Sequence, residues 1–401
     1  MKKFLSFVLM AMFVFSLVCP MGTVIALVDP DVERAEIDVV YKYIDFQDPT
    51  LKRGNDNLYR HSRKDDDNNE LMYSLRSVMK NIPWVRKIFI IMPNDKVRFL
   101  KTPEEISDKI IYIKNEDLLG FDSNSSVAFK WNFWRLKDFG CSNHILYFCD
   151  DYFIGKPMKK SDFFYKNEKG DIVPYIFYKE AIKYTTKKDL HTLLNKLDKQ
   201  YDSMTQYIPG SLYKIQNARA YDFLYTALNK NSLYIPAAKN INATIHNAVG
   251  FNLNEIEELY NIINSKYKYA DYCLRGLKRN KYDMWMVALY PFYFLNKENR
   301  KINTNITYRY FDMAAKDINN NYNLFCINTG GGKDYSDIER LKAKIKMEQF
   351  FPEPTKYERK DYNDWAGVDP ALKERLKNEM LTQKVVNNYR PRRSFRLRRA
   401  G

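Results

Sequence analysis

The chain predicts an α/β fold, a mostly parallel sheet with crossover helices, carrying a helical insertion and a helical C-terminal region. Two observations carry this prediction. Short β-branched and aromatic runs alternate with stretches of helical periodicity. One of those runs, Val85 to Met92, is apolar almost throughout, as an interior strand covered on both faces must be.

The elements follow in order. Ile37 to Ile44 reads as a strand, ended by Asp45-Phe46-Gln47-Asp48-Pro49. The polar cluster from Lys64 to Asn69 is a loop. Helical spacing of Leu71, Leu75, Val78 and Met79 predicts a helix over Glu70 to Met79, stopped by Pro83 and Trp84. Val85 to Met92 and Ile110 to Ile113 are the next strands. Helical pattern returns at Val127 to Leu136, and Ile145 to Cys149 is a fourth strand running into Asp150-Asp151. Residues 158–232 are Lys- and Tyr-rich, with an amphipathic piece at Asp189 to Leu197, and read as an insertion or lid. Asn252 to Leu295 is mainly helical, Asn303 to Asn323 polar and irregular, and Leu324 to Asn328 a short strand before Gly330-Gly331-Gly332. Peripheral helices fill 334–385, and 386–401 is a basic tail.

Composition bounds the function classes. A chain of 401 residues with 45% hydrophobic and 15% aromatic residues has ample material for a core, which excludes overall disorder. The net charge of +16 favours an anionic partner, but six of those charges sit between Arg390 and Arg399. No nucleic-acid partner is expected from so localised a tail, and the oligomeric state is left open. Lys2 and Lys3 precede an uncharged run from Phe4 to Val28, so residues 1–28 read as a secretory signal or a signal-anchor. That reading predicts a membrane-associated or secretory location. Cys141, Cys149, Cys273 and Cys326 form no CxxC pair, which excludes a zinc ribbon and leaves any disulfide pairing unassigned. Asn124, Asn242 and Asn305 begin glycosylation triplets.

Several polar residues suit chemistry. Asp150-Asp151 ends an apolar strand, where open α/β sheets collect ligands, and two adjacent carboxylates suit a hard divalent cation holding a diphosphate. The same residues also fit a plain Asp-rich turn. Asp45, after another strand, is a candidate acceptor for a ribose or sugar hydroxyl. His246, in the polar stretch Asn242 to Ala248, is a candidate general base, or a solvated loop histidine. Arg279 and Asp283, four apart on an expected helix, form either a surface ion pair or a guanidinium brace for a phosphoryl group.

These residues resemble a known family, the Stealth proteins, which include bacterial capsule polymerases. The opening block is Ile37-Asp38-Val39-Val40-Tyr41 with Tyr43-Ile44-Asp45 and Asp48-Pro49. The second is Glu70-Leu71-Met72-Tyr73-Ser74-Leu75-Arg76-Ser77, then Pro83 to Ile90, ending in Ile145-Leu146-Tyr147 and Asp150-Asp151-Tyr152-Phe153-Ile154-Gly155. Arg279 with Asp283 is similar to the family's Arg-x-x-x-Asp helix, and Phe325-Cys326-Ile327-Asn328 to its last block. The chain departs from the pattern at Val127 for a histidine, Lys130 for a glutamate, Ala248 for a proline and Thr329 for an acid.

The resemblance implies a nucleotide-sugar transferase-like sheet and a sugar-1-phosphate transferase. Hexose- or N-acetylhexosamine-1-phosphate would pass from a UDP-sugar to a glycan or glycoprotein hydroxyl, leaving a phosphodiester and UMP. It implies that Asp151, with Asp150, holds Mg²⁺ or Mn²⁺, and that Asp45 and Arg76 lie at the nucleotide-sugar. It further implies that His246 takes the hydroxyl proton, Arg279 stabilises the phosphoryl oxygens, and Asn328 completes the donor or metal site. Residues 30–157 would form the nucleotide-sugar-binding part and 233–333 the second half of the catalytic domain, within the Golgi lumen in a eukaryote. The competing readings are a metal-dependent glycosyltransferase that releases UDP, and a non-catalytic member of the same fold.

Overall fold

The computed structural model describes residues 29–45, 68–93, 96–121, 123, 125–178, 182–202, 209–236, 246–328 and 335–389. The leader 1–28, the end of the opening block at Asp48-Pro49, two of the glycosylation triplets' asparagines, Thr329, the glycine run and the basic tail from residue 390 onward lie outside them.

The main sheet is built from β1 (Ile37–Lys42), β2 (Ile88–Met92), β3 (Ile110–Lys114) and β4 (His144–Phe148), all parallel, in the order β4-β1-β2-β3. A fifth strand, β10 (Val249–Asn252), adds antiparallel beside β4. Both faces are covered, and the strands alternate between two cores. Ile37, Val39 and Tyr41 of β1, Ile88 and Ile90 of β2, and Leu146 and Phe148 of β4 enter one core. Val40, Phe89, Ile91, Ile145 and Tyr147 enter the other. A period of two with both faces buried is why these strands read as continuous apolar runs.

On one face lies α1 (Glu70–Asn81), with Leu71, Leu75 and Val78 turned inward. Beside it is a second sheet of β5 (Tyr152–Ile154), β12 (Leu324–Asn328) and β11 (Tyr308–Asp312), in the order β11-β12-β5. On the other face lie α2 (Ser126–Trp131), α3 (Lys187–Asp202), α4 (Pro209–Leu228), α5 (Leu253–Lys266) and α6 (Met286–Glu298). Two hairpins complete the strands, β6 (Phe164–Lys166) with β7 (Ile172–Pro174) and β8 (Ile182–Thr186) with β9 (Ser232–Pro236). At the C-terminus α7 (Asp337–Phe350) and α8 (Pro370–Tyr389) follow.

The mostly parallel α/β architecture is therefore the one the sequence predicts. Two local expectations are corrected. Residues 303–323 are not irregular throughout, because Tyr308–Asp312 pairs in parallel with β12. The helix expected around Arg279 and Asp283 is a loop, since the long helical stretch divides into α5, a short helix Ala270–Arg275, and α6. Within residues 158–232, Leu212, Ile215, Tyr221 and Leu224 enter the core and pack α4 into the body. Among the described residues no helix is long and apolar enough to cross a membrane, and the four described cysteines are free thiols.

Candidate active site

The strand order places a cleft. β1 leads through β2 to β3 on one side, and β4 returns to the other side of β1, so the topology switches direction between β1 and β4. Crossover connections diverge there and leave a crevice beyond the carboxyl ends of the two strands. A cavity of about 350 Å³ occupies this place, lined by Lys42 and Ile44 from the end of β1 and Cys149, Asp150 and Asp151 from the end of β4.

The Asp150-Asp151 turn is held from below by α1. Ser77 Oγ accepts from the Ile154 amide at 3.1 Å, and Asn81 Nδ2 donates to the Ile154 carbonyl at 2.6 Å. Ser74 Oγ donates to the Tyr152 carbonyl and meets Tyr41 Oη at 2.8 Å. Polar residues on the buried face of a helix thus fix the strand that follows the acids. Gly155 ends that strand because a Cβ there would stand 2.3 Å from the Tyr322 carbonyl oxygen and 2.8 Å from that of Asn320.

Asp151 gathers the site. Cys326 Sγ donates to its Oδ2 at 3.2 Å, Asn328 Nδ2 donates to the same oxygen, and His246 Nε2 lies 3.8 Å from it. Asn328 Nδ2 also lies 3.3 Å from His246 Nε2. The His246 ring is set edge-on between Tyr152 and Tyr310, at centroid distances of 5.2 and 5.7 Å. Burial pushes the Asp151 carboxyl up, but the hydrogen bond and charge of His246 and the hydrogen bonds of Asn328 and Cys326 outweigh it and hold it below the ordinary aspartate value. Burial and the neighbouring Asp151 raise the Cys326 thiol far above its ordinary value, so it stays protonated and serves as a donor.

Opposite this group stands Arg279. Its Nη2 donates to Gln216 Oε1 at 3.1 Å, and Gln216 Nε2 donates to Asp283 Oδ2 at 3.1 Å. Arg279 and Asp283 are therefore bridged by an amide from α4. Burial pushes Asp283 up to about 7, against hydrogen bonding from Asn280 and the charge of Arg279. Sequence reasoning missed Gln216 and Tyr213, because a polar residue on a core helix carries no motif of its own. Trp285 and Lys42 were missed as well, each reading as an ordinary apolar or strand-end position.

The structure brings Asp150, Asp151, His246, Arg279 and Asn328 to one cavity. It does not bring Arg76 or Asp45 to that cavity's wall. Arg76 forms a bidentate pair with Glu358, from Nε to Oε1 at 2.9 Å and Nη2 to Oε2 at 2.5 Å, and its Nη1 donates to the Phe351 carbonyl at 3.1 Å. Asp45, 2% exposed, is paired with Arg98 Nε at 2.6 Å. His144 and His191 lie outside the cleft, the first with Nε2 at 2.9 Å from the Ile172 carbonyl oxygen.

The donor set suits a hard divalent cation. Asp151, His246 and Cys326 each present a ligand atom within 4.8 Å of the others. A protonated thiol is a poor ligand for Mg²⁺ or Mn²⁺, whereas carboxylate and amide oxygens suit both, and Mn²⁺ also accepts imidazole. Asp151 and Asp150, both on the cavity wall, are thus the residues that fit such an ion.

Fold and site define an α/β protein whose ligand cleft, lined with acids, an imidazole and a guanidinium, opens at the switch point of a mostly parallel sheet. The family model for Stealth protein CR2, conserved region 2, matches residues 64–172. Over this region the chain is similar to the Stealth proteins. A capsular polysaccharide phosphotransferase of Actinobacillus suis is 32% identical over 151 residues, 33% of this chain and 39% of that protein. One of Neisseria meningitidis serogroup B is 29% identical over 171 residues, 38% of this chain and 44% of that protein. An exopolysaccharide phosphotransferase of Streptomyces coelicolor is 31% identical over 162 residues, 36% of this chain and 26% of that protein. The chain thus spans less than half the length of these curated relatives. Among solved structures, the galactosyltransferase LgtC in complex with donor and acceptor sugar analogs covers 82% of this chain and 99% of its own, at 13% identity and a TM-score of 0.35.

Proposed function

We propose that the protein is a phosphotransferase moving a sugar-1-phosphate from a UDP-sugar to a glycan hydroxyl, with release of UMP. The observation that carries this reading is the convergence of Asp151, His246, Asn328 and Arg279 on one cleft at the sheet's switch point. The relatives' names, phosphotransferases of capsular and exopolysaccharides, support the same class.

His246 Nε2 is the base. It takes the proton of the acceptor hydroxyl, and Asp151, 3.8 Å away, offsets the imidazolium charge that results. The acceptor oxygen forms a bond to the sugar-proximal phosphorus while the bond from that phosphorus to the bridging oxygen breaks, its electrons leaving with UMP. Arg279, held by Gln216, offsets charge on the phosphoryl oxygens. Asp150 and Asp151, the latter held by the Asn328 amide, would hold Mg²⁺ or Mn²⁺, which when bound neutralises the diphosphate. Most of the acceleration in such transfers comes from positioning and charge neutralisation, which a rigid strand-end turn provides. The residues at 1–28 would deliver the chain to a membrane or a secretory compartment.

The test is to incubate the protein with UDP-sugars, Mn²⁺ and a glycan acceptor, and to identify the nucleotide released. UMP is expected, falling at least a hundredfold in Asp151→Asn and in His246→Ala. Release of UDP would make the protein a glycosyltransferase, and full activity in Asp151→Asn would remove the carboxylate from the mechanism.

A further inference from the structure

The cleft holds more positive charge than phosphoryl transfer requires. Lys42, Lys130 and Arg279 line the same cavity. Their hydrogen bonds go to neutral oxygens: Lys42 Nζ to the Tyr43 carbonyl at 3.3 Å, Lys130 Nζ to the Ser126 carbonyl at 3.2 Å, and Arg279 Nη2 to Gln216 at 3.1 Å. Arg279 Nε is buried with no hydrogen-bond partner among the described residues. Lys130, 4% exposed, sits over the rings of Tyr147 and Trp285 at 4.9 and 4.6 Å, and Arg279 lies 5.0 Å from the same Trp285 ring. Aromatic faces hold cations in place but do not neutralise them.

The cost of this arrangement is visible in the lysines. Burial, and then the charge of Lys130, lower Lys42 to about 7 against the opposing charge of Asp150. Burial lowers Lys130 to about 8, with Arg279 adding to the effect. Asp150 and Asp151 on the same wall offset two of these three cations, and a nucleoside diphosphate accompanied by a divalent cation is nearly neutral, so one positive charge is left uncompensated. An anion placed between them would restore the charged lysines and offset the desolvation of all three.

We infer that Lys130 and Lys42, beside Arg279, form a subsite for a second anionic group, a carboxylate or phosphate carried by a sugar that the cleft takes in addition to the donor diphosphate. The inference rests on the nucleotide-sugar reading above. The acid belongs either to the donor sugar or to the acceptor glycan, and its chemistry is the same in both.

The test measures affinities of the full chain with Mn²⁺ by calorimetry and ligand-observed NMR. The donor arm compares UDP-glucuronate with UDP-glucose. The acceptor arm compares methyl glucuronide with methyl glucoside, with and without UDP. At least a tenfold preference for the acid in one arm is expected. That preference should collapse in Lys130→Met, which keeps an apolar stem of similar length, and reverse in Lys130→Glu. Equal affinity for acidic and neutral ligands in both arms overturns the inference. So does a loss in Lys130→Met that is equal for UDP-glucuronate and UDP-glucose, since the cations would then serve the diphosphate. Failure of UDP itself to bind removes the nucleotide-sugar reading, while the glycoside arm without UDP still reads the anion subsite.

Discussion

Arg76 sits in the most recognisable block of the sequence, yet the structure uses it as a clamp. Its guanidinium pairs bidentately with Glu358 and reaches the Phe351 carbonyl, with side-chain exposures of 10% and 8% for the two partners. Replacing it with Met keeps most of the stem and removes the charge. Glu358 is then left buried, relieved among the described residues only by the Thr355 amide at 2.8 Å. Breaking a buried pair costs about 3–5 kcal/mol, and the surviving amide places the loss near the lower end, about 3 kcal/mol. At roughly 2 cal/mol/K per residue over 401 residues, this lowers Tm by roughly 4 °C. The assay is urea denaturation of Arg76→Met beside the wild type, with UDP-sugar affinity measured on the same samples. The double variant Arg76→Met/Glu358→Leu should recover more than half the loss, because no unpaired charge stays buried. Wild-type stability together with a tenfold loss of UDP-sugar affinity would refute the clamp and place Arg76 at the donor.

Two further outcomes follow from local geometry. Gly155→Ala forces a methyl group against two carbonyl oxygens, at 2.3 and 2.8 Å before relaxation. It should cost about 2–3 kcal/mol by denaturation, and an unchanged midpoint would contradict the packing. Lys130, lowered to about 8 by burial, makes stability depend on pH. Between about 8 and the unfolded value near 10.4 the unfolded chain holds the extra proton, so this lysine's contribution makes stability rise with pH across that window. Lys130→Met should be the more stable variant at pH 7, with its advantage shrinking by pH 9.5. A constant difference in urea midpoint at the two pH values would contradict the burial of the charge.

The parallel strands were legible because burial on both faces writes itself as uninterrupted apolar residues, as in Ile88 to Met92. The acids at the end of β4 were legible for the same reason, since the change from Phe148 to Asp150 is abrupt. Tyr308–Asp312 was not legible. It lies at the edge of the second sheet with Arg309 and Tyr310 exposed, so only its pairing with β12 makes it a strand. Asn328 and Arg76 were singled out from family motifs alone, and only the first lines the cleft. A motif marks residues that the fold uses together without saying which of them bind and which brace.

What the sequence by itself determined was the class of fold, the succession of strands and helices along the first half, and the acids that end β4. These are local properties, set by the burial period of each segment and by the switch from apolar to charged residues. Only the tertiary structure decided that His246, Asn328 and Cys326, separated from Asp151 by 95 to 177 positions, meet at one carboxylate. It also decided that Gln216 positions Arg279, and that three cations share a cavity wall. Such contacts are made between segments whose own residue patterns carry no record of one another, because they are set by how helices and strands pack across the sheet.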